Sequence, residues 1–227
     1  MKRPPRIAFI HATRLAIEPI EAAAAAFWPE AETISILEEG LSVDRAKAVE
    51  LSQDLRRRIV ELSRYAIAAQ ADGILFTCSA FGVAIEQAGR EARIPVMKPN
   101  EAMFDAAFSY GDKITMICTF PPAAAGMERE FIEAAEARGS HAKLTSVFCE
   151  GAFDAKRSGD TARHDRLIAE AAAQIRDADV ILLGQFSMAA AIDEVRQGTK
   201  LPVLTSPEAA IRAIRRRVDA AGAAGAC

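Results

Sequence analysis

Two similar doubly wound α/β domains with parallel sheets, related by a pseudo-twofold axis, are what this 227-residue chain predicts. Two observations carry that prediction. Short apolar runs rich in Ile, Val, Leu and Phe alternate with alanine-rich stretches of helical period, the order of a parallel sheet with right-handed crossovers. The pattern then occurs twice. Residues 71–79, Ala-Asp-Gly-Ile-Leu-Phe-Thr-Cys-Ser, answer to residues 178–186, Ala-Asp-Val-Ile-Leu-Leu-Gly-Gln-Phe. Ile94-Pro95-Val96 answers to Leu201-Pro202-Val203, Glu101-Ala102 to Glu208-Ala209, and the run Ile7–Ile10 to Ile114–Ile117. One offset of 107 residues aligns all of these without a gap, the mark of a duplicated unit.

In chain order, the first strand is predicted over 6–10, straight after Pro4-Pro5, and the alanine run 18–27 forms the first helix. A strand over 32–37 leads to one long helix over 44–70, which Asp44 is placed to cap. The buried run 73–77 leads into a helix over 80–91, and the short run 94–97 into a helix over 100–109. The second half repeats the scheme, with strands over 113–118, 143–148, 179–183 and 201–204 and helices over 122–138, 161–177, 187–197 and 207–218. Ser206 before Pro207 reads as an N-cap with proline at the first helical position. The first lobe is expected to comprise residues 1–108 plus 206–227, its last helix returning to it, and the second lobe residues 109–205.

Composition narrows the function. Half the residues are apolar, a quarter are charged, and the net charge is −3, so no basic field invites nucleic acid. No apolar run reaches the roughly 18 residues of a membrane span. Met-Lys-Arg-Pro-Pro leads directly into a strand with no signal-peptide pattern, and a cytoplasmic location is expected. The four cysteines (Cys78, Cys118, Cys149, Cys227) form no C-x-x-C pair, and the three histidines lie far apart, so neither a zinc site nor a disulfide framework is expected. Cys227 is terminal, and His141 and His164 read as surface residues. Neither G-x-G-x-x-G nor a P-loop is present, and no lysine sits in a setting that suggests pyridoxal phosphate. No cofactor is implied.

In doubly wound sheets ligands meet the loops at the carboxyl ends of the strands. Those loops are His11-Ala12-Thr13, Thr77-Cys78-Ser79, Lys98-Pro99-Asn100, Cys118-Thr119-Phe120, Gln185-Phe186-Ser187 and Thr205-Ser206. Cys78 follows a buried strand and opens a helix, where free backbone N–H groups favour a thiolate and hold a substrate carboxylate. The competing reading is a buried structural cysteine. Gln185 stands at the same place in the second half, where its amide either polarises a substrate oxygen or simply faces solvent. Thr119 and Ser187 read equally as caps and ligands. His11 is a candidate second acid or base, or a capping residue, and Lys98 a candidate anion contact.

These segments, Ile7–Thr13, Phe76–Gly82, Ile94–Pro99, Ile114–Phe120 and Leu182–Met188, together resemble the aspartate/glutamate/hydantoin racemase superfamily, which also contains arylmalonate decarboxylase and maleate isomerase. The resemblance covers nearly the whole chain. It implies two flavodoxin-like lobes, an active site in the cleft between them, and a cofactor-independent enzyme acting on a small carboxylate substrate such as an amino acid, hydantoin or dicarboxylate. Family racemases place one cysteine from each half on either side of the α-carbon. The first carries over to Cys78, with Thr77, Ser79 and the following amides as carboxylate binders, while Thr13, Thr119, Phe186, Ser187 and Lys98 complete the expected lining. The second falls at position 185, which is Gln185; Cys118 and Cys149 do not stand at the matching place. The expected function is a racemase or isomerase with Cys78 as acid/base or nucleophile and Gln185 and His11 assisting. A single-thiol decarboxylase of a malonate-type acid and an inactive ligand-binding homologue remain as alternatives. The assembly is expected to be a homodimer.

Overall fold

The computed structural model describes residues 3–48 and 50–224. Cys227 lies outside the described residues. The chain divides into two compact units, Met1–Pro99 with Ala210–Cys227, and Asn100–Ala209. The first holds β1 (Arg6–His11), α1 (Ile17–Phe27), β2 (Glu32–Leu37), α2 (Gly40–Lys47), α3 (Gln53–Ala68), β3 (Gly73–Phe76), α4 (Gly82–Glu91) and β4 (Val96–Met97). The second holds α5 (Glu101–Ala107), β5 (Lys113–Cys118), α6 (Pro121–Arg138), β6 (Lys143–Phe148), α7 (Ala152–Arg157), α8 (Thr161–Gln174), β7 (Val180–Leu183), α9 (Ile192–Gly198) and β8 (Val203–Thr205). The last helix, α10 (Ser206–Ala224), begins in the second unit and continues in the first.

Each sheet is parallel and four-stranded, with order β2-β1-β3-β4 in one and β6-β5-β7-β8 in the other, the doubly wound arrangement the alternation predicts. The offset of the repeat survives atom by atom. Asp72 takes the backbone N–H of Arg6 on its Oδ2 at 2.8 Å while its own N–H meets the Arg6 carbonyl at 2.7 Å. Asp179 makes the same pair of bonds with Lys113, at 2.8 and 2.7 Å. These brackets fix the register of the two central strands at their starts. Beside the second bracket, Gly111 has φ +150, and a Cβ there would come within 2.2 Å of the Asp179 carboxylate, so only glycine fits.

In the first unit, Ala8 and Ile10 of β1 and Ile74 and Phe76 of β3 point into one core with Leu55 and Ile59 of α3 and Ile85 of α4. Period-two alternation sends Ile7, Phe9 and Leu75, also buried, to the other face. The last helix closes on this unit: Arg215 donates to the Phe27 carbonyl at 3.2 Å, and a Cβ at Gly73 would meet Val218 at 2.8 Å. In the second unit, Met103, Phe104 and Ala107 of α5 pack with Ile114, Met116 and Leu182. An expected division after residue 108 would assign α5 to the first lobe, but its buried side chains lie in the second unit's core.

All eight predicted strands are present. Two shrink because Pro95 and Pro202 cannot donate to a ladder; their carbonyls still accept from Ile74 at 2.8 Å and Ile181 at 2.9 Å. The expected helix 44–70 is two helices. Ala48 is extended, and Ser52 turns extended to cap α3 by accepting from Leu55 N at 3.2 Å. Asp44 caps nothing; it lies inside α2 and pairs with Arg58 at 2.8 Å. Ser206 is the first residue of α10, and its hydroxyl goes to Asn100. Helix α7 lacked a signal in the sequence because it is only 6 residues long.

Candidate active site

Parallel pairing brings the ends of β1 and β3 to one edge, with Ile10 beside Phe76. Thr77 continues the ladder by one bond to the Ile10 carbonyl at 3.0 Å, and the chain then leaves the sheet at Cys78. Cys78 is extended (φ −125, ψ 120) and caps a 3-10 turn, Ser79–Phe81, that runs into α4. In the second unit Gly184 makes the same bond to the Ile117 carbonyl at 3.0 Å. Gln185 then caps the 3-10 turn Phe186–Ala191 with φ −120 and ψ 148. Cys78 and Gln185 thus occupy equivalent turns, as the repeat predicts.

The Cys78 thiol is half-buried and packs against the first unit's core. The expected depression of its pKa is not what the structure shows. Burial pushes the thiol above its ordinary value, and the Ala80 N–H and the Arg45 charge only partly oppose it. A single turn of 3-10 helix offers one N–H where a full α-helix offers several, so desolvation wins. Cys78 therefore rests as a thiol at neutral pH.

Arg45 escaped the sequence reading because it lay inside what read as one long helix. The break after α2 puts it instead in that helix's last turn, within reach of the Cys78 turn. Its Nε donates to the Ala80 carbonyl at 3.3 Å and its Nη1 to the Ala48 carbonyl at 2.7 Å. It has no carboxylate partner among the described residues. Salt bridges hold α2 in place: Arg58 binds Glu38 and Asp44, and Arg14 binds Glu39 at 2.7 Å. The signal that could have revealed Arg45 is Ser52, a capping residue in mid-pattern.

His11 is fully buried, with Nδ1 2.9 Å from the Thr77 hydroxyl and Nε2 3.2 Å from that of Ser35. Burial lowers its pKa to about 4, Glu21 opposing. It is a neutral, pinned residue against Thr77, and both ring nitrogens are engaged within the protein rather than free for the expected role of acid or base at a substrate. Lys98 is spent on Glu86 at 2.7 Å, because α4 carries that carboxylate to the end of β4. Thr13 accepts from Leu15 N at 3.4 Å as the cap of a 3-10 turn. Ser79 is buried in the turn beside Cys78.

In the second unit the Thr119 N–H and hydroxyl both reach Gln185 Oε1, at 2.9 and 3.2 Å. Gln185 Nε2 is buried and has no oxygen or nitrogen partner among the described residues. The amide lies beside Cys118, whose thiol burial pushes up to about 12, with Glu128 adding and Gln185 opposing. Cys118 therefore rests as a thiol. Phe186 is buried in the core and Ser187 is partly exposed. Asn100, which the sequence marked only as part of a loop, is buried and fully engaged. Its Nδ2 contacts the Gly184 carbonyl at 3.2 Å and Met127 Sδ at 2.9 Å, and its Oδ1 accepts from Ser206 at 2.5 Å. It holds the residue that precedes Gln185.

His164, expected on the surface, is fully buried, with Nδ1 2.6 Å from Asp165. It heads the inward stripe His164, Ile168, Ala172, an i, i+4, i+8 spacing visible in the sequence. His141 is exposed as expected. No group of three or more His, Cys, Asp or Glu among the described residues is placed to hold a metal. No helix among them is long and apolar enough to cross a membrane.

Solved structures share the fold. Allantoin racemase from Klebsiella pneumoniae superposes with TM-score 0.71 at 18% identity, covering 95% of this chain and 88% of that one. The Picrophilus torridus aspartate racemase gives 0.72 at 14% identity, covering 96% and 94%. The Gly74Cys mutant of arylmalonate decarboxylase, in its sulfate ion associated form, gives 0.66 at 17% identity, covering 95% and 94%. No curated protein matches the sequence. The sequence profile of Asp/Glu/Hydantoin racemase matches residues 10–214, nearly the whole chain, and the chain belongs to that family.

Proposed function

We propose that the chain is a cofactor-independent racemase or isomerase that acts at the carbon α to a carboxylate of a small substrate, with Cys78 as its sulfur acid/base. The observation that carries this reading is the Cys78 turn. A half-buried thiol stands at the carboxyl end of a central strand, with the Ala80 N–H beside it and the Arg45 guanidinium, which has no carboxylate partner among the described residues, bonded to the Ala80 carbonyl. That cation serves both a substrate carboxylate and the thiolate formed during turnover. In proton exchange, Cys78 first gives its proton to water; the thiolate takes the α-proton, the C–H electron pair moves into the carboxylate to give an enediolate, and a proton from the S–H or from water on the other face returns the acid. At the equivalent turn of the other unit, Gln185 Nε2 has no oxygen or nitrogen partner among the described residues and lies against the Cys118 sulfur.

A second reading rests on the resting thiol and on the amide at position 185. Loss of carbon dioxide from a malonate-type acid leaves the same enediolate. Cys78 then supplies one proton from its S–H, and water reprotonates the sulfur. One proton donor suffices for this step, whereas racemisation needs a carrier on each face.

Turnover in D₂O across amino acids, hydantoins and malonates tests both. Exchange or inversion of an amino acid or hydantoin supports the first reading. Stereoselective labelling of a decarboxylated product supports the second. No exchange with any of the three classes would leave a binding protein.

A further inference from the structure

The buried ring of His11 is the middle of a chain of polar groups that begins beside Cys78 and ends in solvent. Thr77 Oγ1 lies 2.9 Å from His11 Nδ1, His11 Nε2 lies 3.2 Å from Ser35 Oγ, and Ser35 Oγ lies 2.8 Å from Glu21 Oε1. Thr77 also has a longer contact, 3.4 Å, to the Ile10 carbonyl. Thr77 and His11 are buried, while Ser35 and Glu21 are exposed.

Each hydroxyl has one hydrogen and the neutral imidazole has one N–H, so only two arrangements keep the ring bonded on both sides. In one, Thr77 donates to Nδ1, Nε2–H donates to Ser35, and Ser35 donates to the Glu21 carboxylate. In the other, Ser35 donates to Nε2, Nδ1–H donates to Thr77, and Thr77 donates to the Ile10 carbonyl. The first uses the three short contacts and ends on a charged acceptor. The second gives up the carboxylate and ends on a neutral carbonyl at 3.4 Å. Hydrogen bonds to an ionised acceptor are roughly twice as strong as neutral ones, so the first prevails.

We infer that Glu21 is a positioning residue for the Cys78 turn, holding His11 as its Nε2–H tautomer through Ser35 and thereby drawing the Thr77 hydroxyl hydrogen inward. Thr77 oxygen then offers only lone pairs to anything else that meets it. It cannot donate to a substrate carboxylate. That task falls to backbone N–H groups of the turn and to Arg45. A substrate group that does approach Thr77 must bring its own hydrogen, as an amine or amide N–H does. This last consequence rests on the proposed function, whereas the tautomer does not.

The test is ¹⁵N spectroscopy of histidine-labelled full-length protein at neutral pH, where protonated and bare ring nitrogens are widely separated in shift. His164 supplies an internal opposite, since its Nδ1 lies 2.6 Å from the Asp165 carboxylate, which when ionised can only accept. The wild-type protein is expected to show His11 as Nε2–H and His164 as Nδ1–H, with His11 assigned by a His11→Asn variant. Glu21→Ala removes the charged end and should shift His11 toward Nδ1–H. Glu21→Gln keeps an oxygen acceptor and should restore the wild-type pattern. An Nδ1–H form of His11 in the wild type, or a Glu21→Ala spectrum unchanged at His11, overturns the inference. Neither outcome depends on any reaction, so failure of the proposed activity would be seen separately.

Discussion

Thr119 gives both of its hydrogens to one atom: its N–H, at 2.9 Å, and its hydroxyl, at 3.2 Å, both meet Oε1 of Gln185. These two donors decide which end of the amide is oxygen, and so aim Nε2 away from them. Replacing Thr119 by Val keeps the N–H and the branched shape but removes the hydroxyl. The expected result is a loss of roughly 3- to 10-fold in kcat/KM, the worth of one neutral hydrogen bond, with the fold intact by circular dichroism. Unchanged kinetics would show that the amide needs only the backbone to orient it.

Cys78→Ala should reduce turnover by about 10² to 10⁴, the usual contribution of a positioned acid/base. Because the thiol packs against the first unit's core, a modest loss of stability, on the order of 1 kcal/mol, should accompany it. A variant that stays folded and keeps more than a tenth of its activity would remove Cys78 from the mechanism.

The direction of the Cys78 shift has a direct readout. Burial holds the thiol protonated, so iodoacetamide should react slowly at pH 7–8 and quicken only above the ordinary thiol pKa of about 8.5. The Arg45 charge pulls the other way, and Arg45→Met should therefore move the alkylation profile to still higher pH. A profile that moves down, or does not move, contradicts the placement of Arg45 beside the thiol.

Much of this was legible in the sequence. The offset between Cys78 and Gln185 located two equivalent turns because parallel strands bury both faces and leave continuous apolar runs that align without gaps. The sequence could not show how each turn is wired. The alignment pairs His11 with Cys118, yet His11 bonds across to Thr77 while Thr119, one residue further on, bonds across to Gln185. Such contacts depend on rotamers and register that a pattern of apolar residues does not encode. Lys98 looked free because Glu86 lies 12 residues away, and only the packing of α4 on β4 joins them.

Replacing Gln185 by Cys puts a second thiol at the turn equivalent to that of Cys78. An enantiopure amino acid or 2-substituted acid is then expected to racemise faster than with the parent protein, as followed by chiral chromatography. A folded variant with no gain on any such acid would show that a thiol at position 185 does not support racemisation.

His11 also links stability to pH. Its folded pKa of about 4 lies below the ordinary value of 6.5, so the unfolded chain binds the proton first as the medium acidifies. Stability from this residue is complete above pH 6.5 and drains away down to about pH 4, by roughly 3 kcal/mol in all. Urea unfolding at pH 7 and pH 5 should show a smaller difference in His11→Asn than in the parent. His164, also lowered chiefly by burial, adds a share in the same direction that the variant leaves in place. An equal difference in both proteins would assign the effect elsewhere.

The path of the chain carries a consequence for biosynthesis. The Asn100–Ala209 unit is one continuous segment, but the unit bearing Cys78 is not, since it awaits Ala210 onward. A ribosome making this protein releases β1 to β4 first, with Gly73, Phe27 and Trp28 still lacking the helix that covers them. The second unit can close in the meantime, because its compact segment ends at Ala209. The half made first is thus the half finished last. During synthesis, chaperones and proteases should meet the nascent Cys78 unit open, and a chain truncated before α10 should be cleaved there first.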